Sequence, residues 1–159
     1  MAELSANAAQ DLAPNAALAF TEIPVPDTSG LIFTRVGSGV IRLASPAKII
    51  GKLYSGCPCN RRLLEAVYDV AFHANIAIPT GGTVGEISIA IAIDGAVDPS
   101  STMIVTPAAA GDFFNVGADI QVVVPSICGC ETISVVNTST GNITVQNANL
   151  KVRYAGLKL

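Results

Sequence analysis

Tryptophan is absent from this chain of 159 residues, and aromatic residues make up only 5% of it. Proteins that hold sugars by ring stacking generally spend Trp or Tyr on the task, so the scarcity counts against that mode of recognition. Charge is scarce too: 13% of residues are charged, against about 25% in an ordinary soluble domain. So few charges cannot cover an ordinary monomer surface, which points to apolar surface buried against other copies or other chains. Basic residues are scattered, Arg61-Arg62 is the only adjacent pair, and the net charge is −3. A nucleic-acid binder needs a basic patch, so no nucleic-acid partner is expected. No run of 18 apolar residues occurs, which excludes a transmembrane helix, and no membrane partner is expected. The N-terminus lacks the basic and apolar regions of a secretory signal, so the expectation is a chain made in a cytosol and not exported by that route. Catalytic signatures are missing as well: there is one histidine, no Gly-x-Ser-x-Gly motif and no glycine-rich phosphate loop. The expectation is a protein that is not an enzyme and has no cofactor.

What the chain does have is β pattern. In residues 68–78 the even positions are Tyr, Val, Phe, Ala, Ile and Ile, while Asp69, His73 and Asn75 fall on the other phase. That period of two predicts a strand with one core face. After the turn Pro79-Thr80-Gly81-Gly82-Thr83, isoleucines hold positions 87, 89, 91 and 93. Their β-branched face suits a packed sheet, and the small opposite face (Ser88, Ala90, Ala92) predicts close approach by another layer or subunit. Shorter strands are predicted at 18–26, 31–36, 40–43, 102–106, 120–125 and 132–137, each closed by Gly, Pro, Asn or Asp signals. Near the C-terminus, Ile143 and Val145 point one way, whereas Leu150, Val152 and Tyr154 continue in the other phase. A β-bulge at Gln146-Asn147-Ala148-Asn149 would restore one buried face. Eight to ten short strands with turns every eight to twelve residues predict an all-β jelly-roll sandwich.

Residues 1–17 are mostly Ala, Asn, Gln and Asp with little periodicity, and read as an extended N-terminal arm ahead of a head domain at 18–159. Such an arm is held either by self-contact or by docking onto a partner.

From Leu18 onward the order of parts resembles the tumour necrosis factor and complement globular-head superfamily. The matching stretches are Val40–Leu43 after a Gly-Ser-Gly turn, Tyr68–Ile78, Ile87–Ile93 followed by Asp94-Gly95, Ile120–Pro125, Ile133–Val136, and Leu150–Tyr154. More narrowly, Ala74–Gly85, Ala92–Gly95, Val136–Thr140 and Val145–Leu150 resemble small structural proteins of phages and prophages of gut Firmicutes. The broad resemblance implies a compact jelly roll that assembles as a homotrimer. The narrow one covers about half the chain and implies a virion location, as a capsid decoration or head-associated knob held on the major capsid protein through residues 1–17. Related heads also cap fibres on phages and spores, which implies the alternative of a receptor- or glycan-binding head. No Gly-X-Y repeat precedes the head, which speaks for a knob sitting directly on a surface rather than a long fibre.

Few residues invite chemistry. His73 lies on the non-core face of its strand with Asp69 and Asn75 and reads as a surface or interface histidine. Cys57, Cys59, Cys128 and Cys130 form two Cys-x-Cys pairs in turns. Four thiolates could hold zinc, although the usual spacing is two to four residues. Disulfides between the turns and free thiols are the other readings, and free thiols are adopted. Asp94, Asp98 and Asp112, with Ser100 and Asn115, match no calcium-loop spacing and read as turn residues. No catalytic or cofactor-binding residue is expected.

Overall fold

A computed structural model describes residues 1–46, 49, 65–125 and 130–158. Among them the strands are β1 (Ala2–Ala6), β2 (Gln10–Leu12), β3 (Glu22–Val25), β4 (Ile32–Phe33), β5 (Ile41–Ala44), β6 (Glu65–Ala77), β7 (Ile87–Ile93), β8 (Ala96–Val97), β9 (Met103–Val105), β10 (Phe114–Pro125), β11 (Cys130–Asn137) and β12 (Ile143–Lys158). They form two six-stranded sheets. Sheet A runs β10-β6-β12-β1-β3, with β2 also on β12; sheet B runs β4-β5-β11-β7-β8, with β9 also on β7. Every pairing is antiparallel. The chain is an all-β jelly-roll sandwich, as its strand pattern predicts.

The two inner faces make one core. Tyr68, Val70, Phe72, Ala74 and Ile76 of β6 are buried at alternate positions, and they meet Ile41, Leu43, Ile89, Ile91 and Ile133 of sheet B in one cluster. Tyr68 reaches across it, its hydroxyl donating to the Ala44 carbonyl of β5 at 2.8 Å, so this buried polar group is paired. The bulge in β12 falls where the change of phase places it. Its register against β6 shifts between Gln146 and Asn149, and Asn147 takes a left-handed φ of 51°. The extra residue lets Ile143 and Val145 before it, and Ala148, Leu150 and Val152 after it, all be buried.

One expectation is corrected. Residues 1–17 do not stand off as an arm. Ala2–Ala6 forms an inner strand of sheet A, flanked by β12 and β3, and Ala2, Leu4 and Ala6 are core residues. The chain then crosses between sheets: β2 pairs with β12, and beyond it the Asn15 and Leu18 amides donate to Asn137 and Val135 of β11 at 2.9 and 2.8 Å. The self-contact reading of this segment holds, and the boundary at Leu18 falls inside the folded unit. Composition concealed this because alanine and asparagine have little strand propensity of their own; β12 supplies the register and the burial. The small face of β7 is likewise closed within one chain, since Ala90 and Ala92 are fully buried. It offers no docking surface at those positions.

Candidate functional site

The loop after β6 (residues 78–86) and the turn between β11 and β12 (residues 138–142) face each other at one end of the sandwich. Between them lies a cleft of about 800 Å³, the larger of the two concavities described here. Its base is braced by hydroxyls. The Ser88 amide donates to Ser139 Oγ at 2.7 Å, Ser139 Oγ donates to the Ser88 carbonyl at 3.1 Å, and Thr138 Oγ1 donates to Ser88 Oγ at 2.7 Å. Behind them Asn137 is completely buried. Its amide nitrogen donates to the Leu12 and Gly141 carbonyls, both at 2.9 Å, and its oxygen accepts from the Ser139 amide at 2.8 Å. These bonds explain why a turn rich in Thr, Ser and Gly keeps one shape. Above the base, the walls present the side chains of Thr80, Thr83, Thr140 and Asn142, with Glu86 as the one charged residue of the lining among the described residues.

A second concavity, about 420 Å³, lies on the outer face of sheet A. Asp69 of β6 holds it together: Arg153 of β12 pairs with one carboxylate oxygen at 2.6 Å, and Gln121 of β10 donates to the other at 3.0 Å. Those two hydrogen bonds, Arg153 first, keep the Asp69 carboxyl below its ordinary range. Lys151 stands 3.9 Å from Glu3 on the same face. Opposite charges therefore pair with one another on this face.

His73 lies farther along β6, its ring against Gly117 of β10: a Cβ on Gly117 would stand 2.6 Å from Nδ1. Asp69 is committed to Arg153 and Gln121, and Asn75 accepts a hydrogen bond from Asn115 at 3.2 Å. The aspartates are dispersed in the turns. Asp98 caps the short 3-10 turn Pro99–Ser101, accepting from the Ser100 amide and hydroxyl at 2.9 and 2.8 Å. Asp94, at a φ of 49°, accepts from the Thr132 amide and hydroxyl at 2.7 and 2.9 Å. Among the described residues no group of three or more His, Cys, Asp or Glu converges. Cys57, Cys59 and Cys128 lie outside the described residues, and of Cys130 only the backbone, the first position of β11, is described.

The sequence pattern marks 79–83 as a turn and ends a strand at 137, and it does not bring the two connections together. The available signal was their shared composition, Thr and Gly with no charge, in two connections that a sandwich can carry to the same end.

No protein-family model and no curated protein matches the chain. Among solved structures it is similar to the globular domain of zebrafish complement 1qA protein, with a TM-score of 0.55 at 9% identity over 99% of this chain and 98% of that one. At a TM-score of 0.40 it is also matched by the EclA C-terminal domain, described as a sugar-binding protein, at 14% identity over 93% of this chain and 79% of that one. A family 35 carbohydrate-binding module from an environmental isolate has the same TM-score at 12% identity, over 99% and 96%. The first likeness places the fold with the complement-type jelly rolls; at such identities a likeness speaks of fold alone.

Proposed function

We propose that this chain is a non-catalytic jelly-roll head that assembles as a homotrimer and serves as a structural knob of a virion, a decoration of the phage capsid. The observation that carries the assembly part is the free edge of sheet A. Strand β10 is 12 residues long and, among the described residues, pairs with β6 alone. Its only formal charge is Asp119, and its inward residues Ala118 and Ile120 stay half-exposed, with no strand flanking them among the described residues. A long, apolar, unpaired edge is a liability that proteins cover. A second copy covering it accounts for the low charge content of the chain. The virion part rests on the resemblance of Ala74–Gly85 and the other quoted segments to small phage proteins. Attachment to the major capsid protein uses a face of the head, since residues 1–17 are engaged in sheet A. Light scattering at micromolar concentration tests the assembly: three times the chain mass is expected, and a clean monomer overturns it. Co-sedimentation with purified particles tests the location.

The cleft between residues 78–86 and 138–142 favours a second reading, a recognition head whose loops meet a ligand at one end of the sandwich.

A further inference from the structure

We propose that the cleft between residues 78–86 and 138–142 is a binding site for a neutral oligosaccharide. The inference rests on the recognition reading and is independent of the trimer. The cleft's volume of about 800 Å³ falls within the usual range for ligand sites. Its hydroxyls divide into two sets. Ser88, Thr138 and Ser139 are spent on bracing the base. The side chains of Thr80, Thr83, Thr140 and Asn142 are exposed in the walls and are not used to hold the loops. Each of these can both donate and accept, which matches the hydroxyls of a sugar.

The glycines make the second observation. Gly81 is accounted for by its left-handed φ of 83°, and Gly82 by packing, since a Cβ there would stand 2.7 Å from Ile78 Cγ2. Gly85 and Gly141 are accounted for by neither: nothing lies within 4 Å of an added Cβ, and neither has a left-handed φ. They stand on opposite walls of the same cleft, where the missing side chains keep it open and leave the main chain within reach of a ligand.

The same lining excludes other ligands. Among the described residues Glu86 is its one charged group and no cation lines it, so a phosphate, sulfate or sialic acid meets repulsion without compensation. Among the described residues no aromatic ring lines it, which leaves none to stack on a base. Val84, half-exposed at the rim, offers an aliphatic surface to the C–H face of a pyranose. Without ring stacking the affinity of one site is low, and a multivalent display is the suitable probe.

The test is an array of immobilised neutral, sialylated and sulfated oligosaccharides, probed with the wild-type chain, Gly85→Leu, Gly141→Leu and Asn142→Ala. Neutral glycans are expected to be retained by the wild type and lost by both leucine variants at unchanged melting temperature. Asn142→Ala is expected to bind about tenfold more weakly, through loss of one hydrogen-bonding group. Should one leucine variant misfold, the other and Asn142→Ala decide the matter. Neutral binding that survives every folded substitution overturns the site and leaves the recognition reading standing. Retention of the anionic ones alone overturns the neutral-ligand site and leaves the recognition reading standing, whereas no retention of any glycan overturns both. Light scattering on the same samples reports the trimer separately.

Discussion

Asn137 is buried with all three of its side-chain hydrogen-bonding contacts made to main-chain atoms, of Leu12, Ser139 and Gly141. Replacing it with alanine strands those partners at once, and Asn137→Ala is expected to cost about 2–4 kcal/mol in denaturant unfolding. Ile89, also fully buried, tests the apolar core: Ile89→Ala is expected to cost roughly 2–5 kcal/mol. Replacement of all four cysteines with serine is expected to cost less. A stoichiometric metal in the purified protein, with collapse of the cysteine-free variant, would reject the free-thiol reading. One carboxyl pair gives a pH signature. The hydrogen bond from Glu131 to Asp94, then burial and the nearby negative charge, push the Glu131 carboxyl up to about 7, while Asp94 is lowered. Between its ordinary value and about 7, the folded chain keeps a Glu131 proton that the unfolded chain has released. Stability from this group is therefore full at acid pH and is lost as pH rises through about 7. Because Glu131 is half-exposed and screened, the loss between about pH 5 and 8 is expected to stay under about 1 kcal/mol. Glu131→Gln should abolish that slope in melts taken across the range.

Among elements, β6, β7 and β12 were legible in the sequence because each turns alternating β-branched or aromatic residues toward the core. The phase change at Gln146–Asn149 even located the bulge. Strands β1 and β2 were not legible. Ala2, Leu4 and Ala6 make a weak pattern, and their burial comes from lying between β12 and β3, partners distant in sequence. The consequence is testable. Deleting residues 1–17 removes Leu4 and Leu12 from the core and splits β3 from β12. Two buried leucines alone are worth about 4–10 kcal/mol, comparable to the whole net stability of a domain. The truncated chain is expected to show no cooperative thermal transition by circular dichroism; a native-like melt would return residues 1–17 to the status of an arm. Residues 11–20 set a further limit on reading by element. They pass from sheet A to sheet B, pairing briefly with each, and such a crossover leaves no periodic trace.

For the whole molecule, assembly and recognition make separate demands. Val123 stands exposed on the outer face of β10, so Val123→Lys places a charge beside the edge that no described strand covers, without entering the core. It is expected to shift the light-scattering mass from trimer toward monomer while the far-ultraviolet spectrum stays unchanged. A trimer of unchanged stability would move the interface elsewhere. By itself the sequence determined the all-β class, the inward residues of the long strands, the bulge, and the shortage of charge that calls for a covered surface. These are local properties, written in the alternation and propensity of neighbouring residues. Only the tertiary structure decided that the N-terminal segment belongs to sheet A, that Ala90 and Ala92 are closed inside one chain, and that 78–86 and 138–142 enclose a cleft. The first and the last of these depend on contacts between segments about 50 residues or more apart, as in the β1–β12 pairing and the Ser88–Ser139 bond. Pairing at that separation is chosen by packing of the whole sandwich, which no window of the sequence contains.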